Sequence, residues 1–176
     1  MVLIFIMIFL FGAAIGITVY KKSKNKEMEI LSAVLKETAL ELDAKDPYFN
    51  GHTKRVIKEA VKIGEKIGLN KRKLTEIELS AYLSEIGKIR IPEKILLKRG
   101  KLTEEEYNII KKHPIIAYKM IENIKELNRV AKIVRAHHER YDGNGYPDKL
   151  SGEYIPVEAR ILSVVDSYDA MISERP

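Results

Sequence analysis

The first twenty residues of this chain form an apolar run that no charged side chain interrupts. About 20 apolar residues in a helix span the hydrocarbon core of a bilayer, whereas the helix of a soluble domain keeps a polar face. A cleaved signal peptide would have basic residues in front of a shorter apolar region, and none precede this run. We therefore predict an uncleaved membrane-spanning helix over residues 1–20.

Four lysines follow this run, at positions 21, 22, 24 and 26, and they account for most of the chain's net positive charge. The chain has a net charge of +6, so the part outside this basic cluster carries only +2. Basic residues stay on the cytoplasmic side of a membrane, which predicts a single-pass protein with its N-terminus outside and its remaining residues in the cytoplasm. The cluster suits anionic lipid headgroups, and the balanced remainder argues against a nucleic acid polymer as partner.

The remaining sequence has helical periodicity, with apolar residues three or four positions apart. No stretch alternates apolar and polar residues long enough to form a sheet, so the predicted fold class is all-α. Capping-box pairs mark two helix starts, Thr75 with Glu78 and Thr103 with Glu106. The predicted helices cover residues 27–46, 52–67, 75–85, 103–113, 114–124, 128–140 and 156–172, with a short helix inside a loop at 89–97.

This pattern divides the chain into three parts: the anchor at 1–20, a basic juxtamembrane segment and helical stalk at 21–46, and a domain at 47–176. Apolar residues of the stalk recur at helical spacing within residues 28–42. They can pack on the domain as its first helix, or pair with a second copy in a homodimer. The sequence leaves both possibilities open.

The composition restricts the chemistry that this domain can perform. The chain contains no cysteine, which excludes thiolate metal sites and a cysteine nucleophile, so a metal ion would be held by His, Asp and Glu. Two of the four histidines, His137 and His138, are adjacent. On a helix they lie about 100° apart, so both reach one pocket only if it straddles two faces. The other two are His52 and His113.

Two aspartates, Asp166 and Asp169, lie three residues apart on an otherwise apolar predicted helix. Burial of an unpaired carboxylate is costly. We expect Asp169 to pair with Arg160 or a lysine, and Asp166 to face inward, where a metal ion would compensate its charge. Imidazole and carboxylate ligands together suit iron, manganese, zinc or nickel.

The segment His137–Pro147, HHERYDGNGYP, resembles the HHExxDGxGYP signature of the HD-GYP domain family, which belongs to the HD superfamily of metal-dependent phosphohydrolases. Further segments match in register over roughly residues 47–176. They include HTKRV at 52–56, GKI at 87–89, KHP at 112–114, VVDSYDAM at 164–171 and RP at 175–176.

This resemblance implies a bundle of helices that holds two or three divalent ions, with iron or manganese favoured, and hydrolyses cyclic di-GMP in a signalling role at a bacterial-type cell membrane. It assigns Lys88 to a catalytic position near the scissile phosphate. The implied metal ligands are Glu85, His113, His137, His138, Asp166 and His52, the last belonging to a third ion. The implied substrate-side residues are Gly145, Tyr146, Pro147, Asp169 and Arg175.

The chain also departs from the family pattern. The His-Asp doublet expected before Ile86 is Ser84-Glu85, which keeps a carboxylate but replaces an imidazole by a hydroxyl. Tyr48 occupies the place of a glutamate that serves a third ion, and family domains continue beyond the Arg175–Pro176 position, so we expect a domain truncated at its C-terminus. Three hypotheses follow: a cyclic di-GMP phosphodiesterase, a catalytically degenerate module that binds the nucleotide or a protein, and a hydrolase of another phosphoester.

Overall fold

The computed structural model describes residues 18, 22, 23, 26, 29–41 and 51–173. The chain divides into two compact units, Met1–Val34 and Leu35–Pro176. Every described residue of the first unit is helical. Among the described residues, no helix is both long enough and apolar enough to span a bilayer. Apart from Thr18, the anchor predicted at 1–20 lies outside the described residues and stays a prediction.

The described residues form helices and turns without any strand, which confirms the all-α prediction. Residues 29–41 are helical and precede seven labelled helices. The labelled helices are α1 (His52–Lys66), α2 (Lys71–Leu83), α3 (Glu93–Leu96), α4 (Glu104–Ile110), α5 (His113–Ile121), α6 (Asn128–Ala136) and α7 (Val157–Ile172). Short 3-10 turns occupy Ile86–Arg90, Lys125–Leu127 and Gly152–Tyr154.

The core lies where α1, α2, α6 and α7 pack against one another. Alanines at the helix contacts are almost fully buried, for example Ala60 and Ala159, both 0% exposed, and their small side chains let the helices approach closely. Larger residues such as Ile77 and Leu162 fill the space between them. Burial of each such side chain contributes roughly 1.5–3 kcal/mol, so this four-helix core is the rigid base of the domain.

Side-chain caps determine where two of these helices begin. The Asn70 side chain accepts a hydrogen bond from the Lys73 N–H at 3.1 Å, and α2 therefore begins at Lys71. The predicted start at Thr75 is wrong, because asparagine is a strong N-cap and the Thr75 hydroxyl instead donates to the carbonyl of Lys71. The capping box of Thr103 and Glu106 is confirmed at the start of α4, with both hydrogen bonds present.

Residues 35–41 pack on α2 within the second unit. The Lys36 ammonium lies 2.6 Å from a carboxylate oxygen of Glu78 and 5.2 Å from the ring centre of Tyr82. Ala39 on the same segment is 5% exposed. This part of the predicted stalk therefore packs on the domain, which was one of the two possibilities.

The turn after α2 lies against the start of α5 because Gly87 has no side chain. A Cβ atom at this position would stand 2.1 Å from the carbonyl oxygen of His113 and 2.9 Å from the backbone nitrogen of Ala117. Backbone contact of this kind excludes every other residue type without a local shift. The contact places Glu85 and Lys88, on either side of Gly87, next to the first residue of α5.

Candidate metal centre

The histidine doublet lies directly after α6. This helix ends at Ala136, earlier than the predicted end at residue 140. The Nδ1 atom of His137 lies 2.6 Å from the carbonyl oxygen of Val134, and the N–H of Glu139 donates to the carbonyl of Ala136 at 2.9 Å. Because the doublet lies in this turn, the helical separation of 100° does not apply. The rings of His137 and His138 are 4.0 Å apart, between centroids.

Four predicted ligands come together at this turn. Glu85 follows α2, His113 begins α5, and His137 and His138 follow α6. Each residue offers one ligand atom, and these atoms all lie within 4.8 Å of one another. Three segments far apart in the sequence thus meet in one cluster of three imidazoles and one carboxylate, which we call the metal cluster.

Backbone contacts set the proton positions on two of these imidazoles. The Nδ1 atom of His113 lies 2.8 Å from the carbonyl oxygen of Ile110, and His137 makes the same type of contact with Val134. Since a carbonyl oxygen only accepts, Nδ1 carries the proton in both rings. Burial lowers the pKa of His113 to about 4, and burial also lowers the pKa of His137. At neutral pH both Nε2 atoms therefore keep their lone pairs.

These two lone pairs face each other. The Nε2 atoms of His113 and His137 are 3.3 Å apart, with no proton available to join them. Glu85 Oε1 lies 3.7 Å from the first and 3.9 Å from the second. Ligand atoms bound to one ion at about 2.0–2.2 Å are roughly 4 Å apart or less, so the arrangement fits a divalent cation. A cation bound here would attract both lone pairs and so offset the repulsion between them.

Lys88 adds a positive charge beside the cluster. Its ammonium forms an ion pair with Oε2 of Glu85, the carboxylate oxygen that is not directed at the histidines. Burial alone would raise the pKa of the Glu85 carboxyl, but the Lys88 ammonium and the imidazoles of His113 and His137 hold it well below its usual range. Glu85 is therefore ionised and suited to bind a cation.

Ser84 does not replace the missing imidazole. Its hydroxyl is buried and donates to the carbonyl of Ala81 in the preceding turn of α2, at 3.0 Å. It is not among the four residues of the metal cluster. Of the altered doublet, the structure brings only Glu85 into this cluster.

The remaining predicted ligands, Asp166 and His52, lie at one side of the metal cluster. Asp166 Oδ1 is 3.4 Å from Nε2 of His52, and its Oδ2 is 4.0 Å from Nδ1 of His138. Asp166 also has a quarter of its side chain exposed. Asp166 is therefore near both His52 and His138, and it is not among the four residues of the metal cluster.

Asp169 is bound within the protein, by residues distant in sequence. It is 3% exposed, and it accepts hydrogen bonds from Nδ1 of His52 at 2.8 Å and from Nε of Arg55 at 2.6 Å. The expected partner Arg160 instead binds Glu153 at 2.7 Å. Asp169 thus fixes the tautomer and orientation of His52. The contribution of Arg55 was not predicted, because no local pattern relates residues so far apart in the chain.

A loop over residues 139–150 covers His138. The ring of Tyr146 lies 4.9 Å from the His138 ring, between centroids, and the following Tyr146–Pro147 peptide bond is cis. Gly145 permits the tight path, since a Cβ atom there would stand 2.3 Å from the backbone nitrogen of Arg140. The predicted substrate-side segment Gly145–Pro147 therefore lies beside the metal cluster. Arg175, also predicted there, lies outside the described residues.

Glu139 holds this loop in place and was not among the predicted site residues. It is 1% exposed, and its two carboxylate oxygens accept hydrogen bonds from the N–H groups of Asp148, at 2.6 Å, and Leu150, at 3.1 Å. The signal for it in the sequence was its place as the glutamate of the HHExxDGxGYP signature, next to the histidine doublet. One buried carboxylate thus joins the ligand turn to the far end of the loop.

The chain is similar in sequence to known proteins over most of its length. A family model described as HD domain matches residues 38–176. A cyclic di-GMP phosphodiesterase response regulator of Xanthomonas campestris is 41% identical over 88% of this chain and 41% of its own length. A cyclic di-GMP phosphodiesterase of Thermotoga maritima is 41% identical over 84% of this chain and 41% of its own length.

A 3'3'-cGAMP-specific phosphodiesterase of Vibrio cholerae is 33% identical over 77% of this chain and 29% of its own length. The chain therefore spans about two fifths, or less, of the length of these three relatives. The similarity includes the segments that carry the metal cluster, since the family model covers all four of its residues.

Proposed function

This chain belongs to the HD domain family, in its HD-GYP branch, and on that premise we propose that it is a metal-dependent phosphodiesterase that hydrolyses cyclic di-GMP. The observation that carries the proposal is the pair of unprotonated Nε2 atoms of His113 and His137, 3.3 Å apart and facing Glu85. Such an arrangement is unfavourable without a cation. The names of the relatives supply the substrate class.

The metal cluster would hold one ion, through Glu85, His113, His137 and His138. A divalent ion bound there would polarise a phosphoryl oxygen and supply hydroxide at neutral pH. We propose a second ion at the neighbouring group formed by Asp166, His52 and His138, with iron or manganese as the metal. The contact between Asp169 and His52 supports this arrangement, because a histidine that ligates a metal usually donates its other N–H to a carboxylate.

Two other groups beside the metal cluster would contribute to the reaction. The ammonium of Lys88 is fixed at the edge of the metal cluster by Glu85, where it can stabilise the negative charge that develops on the phosphate. The ring of Tyr146 covers His138 and keeps water from that side of the cluster. Both groups are held by neighbours before substrate arrives, so little reorganisation is required.

A second candidate function is nucleotide binding without hydrolysis. The observation in its favour is Ser84, whose hydroxyl is bound to Ala81 and offers no ligand in place of an imidazole. In that case the metal cluster would bind its ion weakly, and the chain would act as a receptor for the same nucleotide.

The test is a turnover assay on the full chain in detergent, stripped of metal and then loaded with Mn²⁺ or Fe²⁺. We expect hydrolysis of cyclic di-GMP to a linear dinucleotide or GMP, measured by chromatography of the products. A chelator should abolish this activity. Binding of cyclic di-GMP without hydrolysis at any metal loading would support the receptor function and contradict the enzyme.

A variant with the His-Asp doublet restored tests how far Ser84 lowers metal binding and the rate of hydrolysis. The double variant Ser84→His, Glu85→Asp should bind more metal per chain and hydrolyse cyclic di-GMP at least roughly tenfold faster, because an added ligand strengthens metal binding. Metal content by mass spectrometry and initial rates are the measurements. Ser84→Ala is the matched control, since it removes the hydroxyl without adding an imidazole, and it should leave both values unchanged. An unchanged metal content in the double variant contradicts this expectation.

We also propose that residues 1–20 anchor the protein in the cell membrane, with the domain on the cytoplasmic side. The apolar run and the lysines that follow it support this part of the proposal. Homodimer formation through residues 28–42 stays a prediction of the apolar spacing in that segment.

A further inference from the structure

A row of aromatic and basic side chains leads away from the metal cluster. The ring of Tyr146 lies against His138, and the ammonium of Lys111 lies 5.7 Å from the centre of the Tyr146 ring. The same ammonium is 4.4 Å from the ring centre of Tyr107, on α4. Lys111 is half-buried between the two rings, and 45% of Tyr107 is exposed. Neither Tyr107 nor Lys111 was assigned a role by the family resemblance.

Tyr107 also lines an open depression of about 750 Å³. The other lining residues belong to the segment 100–104, which leads into α4. This segment is held firmly: Thr103 and Glu106 form the capping box, and Lys98 lies 2.5 Å from the Glu106 carboxylate. Ligand sites commonly have volumes of this order. Tyr107 therefore lines this depression and is also connected to His138 of the metal cluster, through its contact with Lys111 and the contact of Lys111 with Tyr146.

We propose that Tyr107 and Lys111 form a nucleobase site for one guanine of the cyclic dinucleotide, the base that lies farther from the metal cluster. This inference rests on the proposed function, since it takes a cyclic dinucleotide as the ligand. The exposed ring of Tyr107 stacks on the base, as aromatic side chains do in nucleotide sites. When the base binds, the Lys111 ammonium leaves the face of the Tyr107 ring for the edge of the base, where it donates hydrogen bonds to O6 and N7 of guanine, which are both acceptors.

The same chemistry gives Lys111 a role in substrate choice. Adenine presents an amino donor where guanine presents O6, so an ammonium at this place favours guanine. Stacking on Tyr107 does not depend on the base, because every base has an aromatic face. The relatives carry names with two specificities, cyclic di-GMP and 3'3'-cGAMP, so substrates of this class differ in their bases.

Two variants separate these roles in the full-length chain. Lys111→Met should reduce the preference for cyclic di-GMP over cyclic di-AMP roughly tenfold, through KM for cyclic di-GMP, with kcat retained. Tyr107→Ala should raise KM for both substrates roughly tenfold and leave the preference unchanged, whereas Tyr107→Phe should retain the ring and the wild-type KM. Lys112→Met is the matched control, because Lys112 is an exposed neighbour of Lys111.

The measurements are KM and kcat for both dinucleotides, with circular dichroism to verify folding of each variant. If Lys111→Met folds and keeps the wild-type preference, Lys111 does not contact the base. If Tyr107→Ala keeps the wild-type KM, Tyr107 does not stack on it, and either result overturns the base site while hydrolysis by the wild type stands. Wild-type protein that neither binds nor hydrolyses any cyclic dinucleotide would instead overturn the proposed function itself.

Discussion

His137→Ala is expected to remove the ion from the metal cluster and lower the turnover of cyclic di-GMP by more than about 100-fold, since even the loss of a residue that only supports a ligand costs 10–100-fold. His137 is 2% exposed, and its Nε2 atom lies 3.3 Å from Nε2 of His113 and 3.9 Å from Oε1 of Glu85. Alanine leaves a gap at this place in the metal cluster. The remaining three residues cannot enclose a cation equally well.

Metal content and thermal unfolding with and without Mn²⁺ are the measurements for His137→Ala. In the wild type, metal at 100 times its dissociation constant should stabilise the fold by about 2.7 kcal/mol, and this gain should vanish in the variant. Val134→Ala is the matched control: Val134 is fully buried on α6, and its truncation leaves a cavity but keeps every ligand. If His137→Ala still binds metal and gains stability from it, the proposed ligand set is wrong.

Lys88→Met is expected to lower kcat for cyclic di-GMP by about 10²–10³-fold, the usual cost of removing one group that stabilises transition-state charge. Its ammonium is fixed beside the metal cluster by Glu85, so its charge is positioned before substrate binds. The variant should keep its metal, because the four ligand residues remain. A loss confined to kcat would assign Lys88 to the reaction and not to the assembly of the site.

The control for Lys88→Met is Arg90→Met, which removes an exposed cation from the same 3-10 turn. It should leave metal content and kcat unchanged. If Lys88→Met loses its metal together with its activity, then Lys88 acts by keeping Glu85 ionised, and its direct role at the phosphate is contradicted. Metal stoichiometry measured alongside kcat separates the two outcomes.

The sequence predicted local features of the fold well. The capping box of Thr103 and Glu106 was predicted correctly, because both of its hydrogen bonds lie within a segment of four residues. The same spacing at Thr75 and Glu78 led to a wrong prediction of where α2 begins. Asn70 caps this helix earlier, and the Glu78 carboxylate is bound by Lys36. A spacing pattern shows that a cap is possible, but not which of several caps prevails.

The site was predicted from residue types and from the family resemblance, and its geometry was not. The predicted helix through the histidine doublet ends early, because the Nδ1 of His137 binds the carbonyl of Val134 within the last turn. The contact of Arg55 with Asp169 joins residues 114 positions apart. No periodicity in the sequence reports a pairing of that kind. It depends on how α1 and α7 cross in the folded core.

The hydrogen bonds of Glu139 have an evolutionary consequence. This carboxylate holds the loop through the peptide N–H groups of residues 148 and 150, which every amino acid except proline provides. This attachment of the loop therefore does not depend on which side chains stand at positions 148 and 150. Loop residues other than Gly145, where a Cβ atom would meet the backbone of Arg140, can therefore change without losing this attachment. Substitutions in the loop can thus alter the surface beside His138 while the ligands of the metal cluster stay in place.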